Sequence, residues 1–164
     1  MRTNWTILFV ALCACSISSA QHVKDPAYAL LLRGLLSDDV PFVDVNKLDP
    51  DGVILLDARE RREFDVSHIK GARWVGHDDF DLSRVKDIPS NSAIVLYCSV
   101  GYRSEKITAR MRTAGWSNVK NLYGGIFEWV NIGRDVVDDE GATNKVHGYD
   151  AMWSKWLSKG EVIH

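Results

Sequence analysis

Proline, cysteine and long apolar runs are all scarce in this chain, which has 4 Pro and 3 Cys among 164 residues. With only 12 Gly and 46% hydrophobic residues, it is neither collagen-like nor low-complexity, and it carries too much apolar material for an acidic disordered chain. Charge of one sign is lacking as well: 20 Lys+Arg stand against 22 Asp+Glu, a net charge of −2. That balance provides no basic footprint for nucleic acid and no polybasic signal for an anionic membrane. The histidines, His22, His68, His77, His147 and His164, are scattered without metal-ligand spacing, so no metal is assigned. No internal repeat is visible, and the length suits one compact domain.

What is present begins with a leader. Arg2 precedes an almost wholly apolar stretch over residues 5–12, and small residues follow to Ala20. The stretch is far shorter than the roughly 20 residues a membrane-spanning helix needs, so residues 1–20 read as a signal peptide. Two cleavage sites compete. Ser18, Ser19 and Ala20 would leave Gln21 as the first mature residue, whereas Leu12, Cys13, Ala14 and Cys15 resemble a lipobox that would lipidate Cys15. Either reading implies an exported protein, secreted or a lipoprotein, in a bacterial periplasm or cell envelope. Membrane contact then comes only through a lipid anchor on Cys15. Simple secretion removes Cys13 and Cys15 together, so Cys98 is left with no internal disulfide partner.

The rest alternates between two periodicities. Residues 21–42 form a lead-in containing a helix, with Asp25 as cap, Pro26 at its first position, and Ala27, Leu30, Leu31 and Leu35 as its apolar face. Residues 43–45, 53–56, 93–97 and 119–122 are strand candidates. The runs at 53–56 and 93–97 show no alternation, as expected of strands covered on both faces. Helical spacing occupies residues 61–66, residues 104–114 with Ile107 and Met111 on one stripe, and residues 127–131. Strands alternating with helices predict parallel pairing and an α/β architecture. Residues 138–144 read as a loop.

The chemistry concentrates at Cys98-Ser99-Val100-Gly101-Tyr102-Arg103-Ser104, which leaves a buried strand, turns and enters a helix. A helix start presents N–H donors and positive dipole charge, so a thiol there is expected to ionise more readily than a free cysteine. Gly101 permits the tight turn, Ser104 is placed to cap the helix, and Arg103 brings a planar fork suited to oxyanions. A lone buried cysteine is more often a small hydrophobe than a nucleophile. It is these neighbours that tilt the reading toward chemistry.

Over residues 43–137 the chain resembles the rhodanese family of sulfurtransferases. Asp57, Ala58 and Arg59, then Glu63-Phe64, then His68-Ile69-Lys70-Gly71-Ala72 match its D-x-R, E-F and H-I-x-G-A blocks. Ala114-Gly115-Trp116, Val119, Leu122 and Gly124-Gly125 match its later blocks. The resemblance implies a parallel five-stranded sheet flanked by helices. It further implies that Cys98 takes a sulfane sulfur from a small anionic donor such as thiosulfate, holds it as a persulfide, and passes it to a thiophilic acceptor, without metal or organic cofactor. Arg103 is expected to hold the donor, the amides from Ser99 through Val100, Gly101 and Tyr102 to Ser104 to form the cradle, and Tyr102 to shape access. Asp57 and Arg59 sit at a strand end, where α/β ligand sites occur, but the resemblance implies that they brace the loop; separately, Arg59 and Glu63 are four apart, which on a helix allows an ordinary ion pair. His68 is assigned a structural hydrogen bond.

Departures from the family pattern are Ser67, where Gly is usual, and residues 73–76 after the Gly-Ala step. Two rival readings stand beside sulfur transfer. One is a non-catalytic module that binds a persulfide or a partner. The other is phosphatase or arsenate reductase chemistry, but that loop is C-x5-R, and Ser104 occupies the position it demands. The extension 138–164, with Tyr149, Met152, Trp153, Trp156 and Leu157, reads first as a helix over an exposed core edge. Its functional alternatives are a wall of the substrate cleft or a docking face for a sulfur-carrier protein.

Overall fold

The computed structural model describes residues 23–37 and 39–164. The export-signal reading of residues 1–20, with Cys13 and Cys15, lies outside them. Strands β1 (Phe42–Asp44), β2 (Ile54–Asp57), β3 (Arg73–Trp74), β4 (Ile94–Tyr97) and β5 (Val119–Tyr123) form one sheet in the order β1-β5-β4-β2-β3. Every pairing within it is parallel, as the alternation predicts. Helices α1 (Pro26–Leu35), α2 (Arg61–Val66), α3 (Tyr102–Thr113) and α4 (Gly125–Asn131) complete the layers.

The unbroken apolar runs have a direct cause. Leu55 pairs with Val95 on one face of the sheet and Leu56 with Leu96 on the other, since successive side chains on a strand point to opposite faces. Leu55, Val95 and Tyr97 join Tyr28, Leu32, Ile126 and Phe127 in one core. Leu56, Ile94 and Leu96 join Ile107 and Met111 of α3 in a second. Both faces are dry, so neither run alternates. The connections from β2 and β4 leave in opposite directions, β2 leading to the edge strand β3 and β4 to β5. That divergence opens a crevice at the carboxyl ends of these two strands, where open α/β sheets bind ligands.

Asp25 caps α1 by accepting from the amides of Ala27 and Tyr28, with Pro26 in the first turn, as the sequence predicts. The buried face is not the expected one. Tyr28 and Leu32 are buried, while Leu30 is 71% exposed, Ala27 is exposed, and Leu31 and Leu35 are only partly covered. The Tyr28 hydroxyl donates to the Gly124 carbonyl at 2.8 Å, which turns the helix so that its aromatic, rather than its leucine row, faces inward.

Two expectations for the C-terminal region are also corrected. Residues 138–144 are not a loop: β6 (Val136–Asp138) and β7 (Gly141–Thr143) form an antiparallel hairpin. The extension is no helix either, but β8 (Lys145–His147) and β9 (Glu161–Ile163) paired in parallel around a short 3-10 turn. Val146 and Leu157 belong to the first core, and Trp156 stacks on Tyr28 with ring centres 5.5 Å apart. Both flanks of the resemblance region therefore close the same core. Among the described residues no helix is long and apolar enough to cross a membrane.

Because Leu157 and Val146 are core residues, ending the chain after Asp139 is expected to abolish cooperative thermal unfolding followed by circular dichroism. Leu157→Ala in the full chain is expected to cost about 2–5 kcal/mol in urea unfolding. An unchanged melt of the shortened chain would show that the extension lies outside the cooperative unit.

Candidate active site

Cys98 is the first residue past β4, buried at the bottom of the crevice. The loop after it is fixed at both ends. On the near side, the first amides of α4 take its carbonyls: the Ile126 N–H donates to Cys98 O at 2.9 Å and the Phe127 N–H to Ser99 O at 3.1 Å. Gly125 makes this approach feasible, because a Cβ there would lie 2.4 Å from Cys98 O, and its φ of +59° is one that glycine adopts at no steric cost. With its carbonyls turned toward α4, the loop is free to aim N–H groups at the sulfur. The Gly101 N–H donates to Cys98 Sγ at 3.2 Å.

On the far side the loop enters α3. Its N-cap is Gly101, with φ +114°, and not Ser104 as expected. Ser104 lies inside the first turn, fully buried, donating its hydroxyl to Asn121 Oδ1 at 2.7 Å and to Gly101 O at 3.2 Å. Asn121 Nδ2 donates to the same carbonyl at 2.8 Å. The amides of Tyr102, Arg103 and Ser104 open the helix and have no carbonyl one turn back to bond.

The Arg103 guanidinium makes a two-pronged pair with Glu63, at 2.5 Å and 2.7 Å, and donates to Ser99 Oγ at 2.9 Å. Ser99 Oγ in turn donates to Glu63 at 3.0 Å. Glu63 also accepts the Glu60 amide in a capping box at the start of α2. The expected Arg59–Glu63 pair does not form. Arg59 turns back on Asp57, 2.7 Å away with both side chains fully buried, because Asp57 is the nearer carboxylate in the dry interior. Arg59 also donates to Ser67 O at 2.6 Å and lies over the Tyr97 ring. Burial alone would lower the Arg59 pKa, and the Asp57 charge overrides it and raises it. Asp57 and Arg59 thus sit beneath the loop and line no part of its opening. His68 packs flat on Phe64 and bonds the Phe64 carbonyl through Nδ1.

Above the sulfur lies a cleft of about 320 Å³. Cys98, Ser99, Val100, Tyr102 and Arg103 form its loop side, with Tyr102 43% exposed. Glu60, His77 and Asp78 line another part, and Tyr149 and Trp153 of the extension complete it. The Arg103 guanidinium lies 4.9 Å from the centre of the Tyr149 ring. Of the predicted loop residues, Cys98, Ser99, Val100, Tyr102 and Arg103 line the cleft, whereas Gly101 and the buried Ser104 do not; sequence reasoning missed Glu63 as the partner of Arg103, Asn121 as the brace of Gly101, and the three polar lining residues. Only Glu63 carried a signal, through its place in the E-F block. Among the described residues no cluster of three or more His, Cys, Asp or Glu could hold a metal.

Residues 43–132 match the family described as Rhodanese-like domain. The chain is similar to the tRNA uridine(34) hydroxylase of Listeria welshimeri, 39% identical over 84 residues that cover 48% of this chain and 26% of that protein. It is similar also to that of Salmonella newport, 31% identical over 122 residues, 70% of this chain and 34% of that one. It thus spans roughly a quarter to a third of the length of these relatives. Among solved structures it is similar to a thiosulfate sulfurtransferase from Pseudomonas aeruginosa, with a TM-score of 0.56 and 22% identity, covering 69% of this chain and 23% of that one. At that identity the likeness is one of fold.

Burial by itself would raise the Glu63 carboxyl, but the hydrogen bonds and charge of Arg103 hold it below the ordinary carboxylate value. A lowered native pKa means that the pair stabilises the fold above the unfolded carboxyl value of about 4.3, and that this contribution is lost as pH falls through the lower native one. Glu63→Ala is expected to cost about 3–5 kcal/mol at pH 7, since it strands a largely buried guanidinium. Glu63→Gln is expected to flatten the acid limb of stability against pH. Urea titrations between pH 3 and 7, on the order of the carboxylate range, would detect both, and an acid limb identical to that of the parent chain would remove Glu63 from the balance.

Proposed function

The chain belongs to the Rhodanese-like domain family, and from that premise we propose that it is a sulfurtransferase working through a persulfide on Cys98. The Cys98 thiolate attacks the outer sulfur of a small anionic, thiosulfate-like donor. One S–S bond forms as the donor's own S–S bond breaks, and the electron pair of the broken bond leaves with sulfite. A thiophilic acceptor then removes the outer sulfur and regenerates the thiolate. No external oxidant or reductant enters, because the sulfur atom carries its oxidation level with it.

The observation that carries this reading is the Gly101 N–H aimed at Cys98 Sγ at 3.2 Å, in a loop whose carbonyls α4 has turned away. Developing negative charge on the outer sulfur meets N–H dipoles already in place. In this reading Ser99, Val100, Gly101, Tyr102 and Ser104 supply the amide cradle. Arg103 lines the donor's side of the cleft while Glu63 fixes its direction, and Asp57 with Arg59 supports the strand ends below. Phosphoryl or arsenate chemistry is the weaker reading, because the buried Ser104 hydroxyl faces Asn121 and the Gly101 carbonyl, where C-x5-R needs a cation. We propose also that residues 1–20 direct export, so that Cys98 works where disulfides persist and its burial limits side oxidation.

Intact-mass analysis before and after thiosulfate is expected to show gain of one sulfur atom that is absent in Cys98→Ser and discharged by cyanide. Sulfur transfer to cyanide is expected to fall on the order of a thousandfold or more in that variant. A thiol shown to be reactive but accepting sulfur from no donor would reject the sulfurtransferase reading in favour of the non-catalytic module.

A further inference from the structure

The segment that completes the cleft is built under strain. Tyr149 has φ +66°, the one positive φ outside glycine among the described residues. The Asp150 N–H donates to Gly148 O at 2.9 Å, so Tyr149 is the centre of a three-residue turn in its rarer, strained form. The surroundings over-determine that conformation. The Tyr149 N–H donates to Nδ1 of the buried His147 at 3.0 Å, and a Cβ on Gly148 would come within 2.7 Å of both Ser154 and Val162. Asp150 Oδ1 accepts the amides of Met152 and Trp153 at 2.8 Å and 2.9 Å, which sets Trp153 beside Tyr149. Strain held this firmly at a cleft points to a task for the two rings.

The charges in the cleft narrow that task. Glu60 and Asp78 line it and are acidic. Among the described residues Arg103 is its one Lys or Arg, and the charge of that guanidinium is already met by Glu63. A small inorganic dianion therefore finds little attraction there beyond the loop amides. A donor of lower charge with an apolar body meets those amides and two aromatic rings besides.

We propose that Tyr149 and Trp153 set the substrate class of this site, selecting monoanionic organic sulfane-sulfur donors with an aromatic or apolar body over thiosulfate. This rests on the sulfurtransferase reading above. For a thiosulfonate donor the step is Cys98–S⁻ + R–SO₂–S⁻ → Cys98–S–S⁻ + R–SO₂⁻, with charge, atoms and electrons balanced and the sulfinate leaving with the electron pair. R rests against the rings while the transferred sulfur enters the amide cradle.

The test compares kcat/KM for benzenethiosulfonate, methanethiosulfonate and thiosulfate in the full chain, with cyanide as acceptor. The expected order is benzenethiosulfonate first and thiosulfate last, with the aryl donor preferred over the methyl one on the order of tenfold. In Trp153→Ala and Tyr149→Ala the aryl-to-thiosulfate ratio is expected to drop on the order of tenfold, and Tyr149→Phe is expected to restore it. Thiosulfate equal to or better than the aryl donor in the parent chain overturns the proposal without any variant needing to fold. A second readout separates this inference from the reading beneath it: binding of benzenesulfinate, the leaving group, followed by tryptophan fluorescence. Binding weakened by Trp153→Ala sustains the aromatic wall even if Cys98 accepts no sulfur. Sulfur transfer with no aryl preference rejects the wall and leaves the sulfurtransferase standing.

Discussion

The ion pair between Glu63 and Arg103 is the constraint on which the site depends. Glu63 comes from α2, which follows β2, and Arg103 from the first turn of α3, which follows β4. Those strands are neighbours in register, Asp57 beside Tyr97, so the helices that follow them leave from one point. A carboxylate with no exposed surface is tolerable because both guanidinium prongs, the Ser99 hydroxyl and the Glu60 amide converge on it. The pair anchors one end of the cysteine loop, and the amides of α4 anchor the other by holding the carbonyls of Cys98 and Ser99. The loop is held in place because both of its ends are spoken for.

That anchoring carries a chemical consequence. An arginine whose end-on fork is filled by a carboxylate cannot present that same fork to a ligand; with Nη1 and Nη2 turned to Glu63 and Ser99, any anion would have to use the remaining Nε and outer Nη1 hydrogens. In the proposed reaction the loop amides would meet the anion's charge, and Gly101 already faces the sulfur. The added residues after the β6–β7 hairpin serve core and cleft with neighbouring aromatics. Trp156 covers Tyr28, and Trp153, three residues earlier, faces the cleft. A strained turn at Tyr149 is sustainable there because buried Val146 and Leu157 hold both of its flanks in the core.

Much of the sheet was legible because its central strands are dry on both faces: residues 53–56 and 93–97 read as uninterrupted apolar runs whatever lies around them. The helix Arg61–Val66 stands where one was expected, although its apolar residues, Phe64 and Val66, are only two apart, and the loop stood out by its Cys, Gly and Arg between a strand and a helix. What was hidden is what depends on partners distant in sequence. Glu63 and Arg103 are 40 residues apart, and the local four-residue rule offered Arg59 instead, an assignment overruled by the closer Asp57. The face of α1 turned on one hydroxyl finding the Gly124 carbonyl. Arg73–Trp74 is too short a strand to leave a period. In the extension, Met152, Trp153, Trp156 and Leu157 mimic helical spacing, and the turn at Asp150 and the close quarters at Gly148 and Gly160 impose a different path.

Position 104 is where the loop departs from the C-x5-R cradle of phosphatases and arsenate reductases. A cradle for a phosphate-sized anion needs its last cation six residues after the cysteine, where this chain places a serine inside the helix. The Ser104 hydroxyl bonds Asn121 and the Gly101 carbonyl, and Asn121 bonds that carbonyl again. Gly101 is thereby pinned by its carbonyl from below while its N–H points up at Cys98. The residue that would have completed a wider ring serves to tighten a narrower one, which suits the single transferred sulfur of the proposed reaction. Under the proposed sulfur transfer, discrimination among donor bodies cannot come from so small a ring, because in that reading only the transferred sulfur enters it. It falls to what stands outside, the walls that the polar lining residues and the C-terminal aromatics build above the thiol.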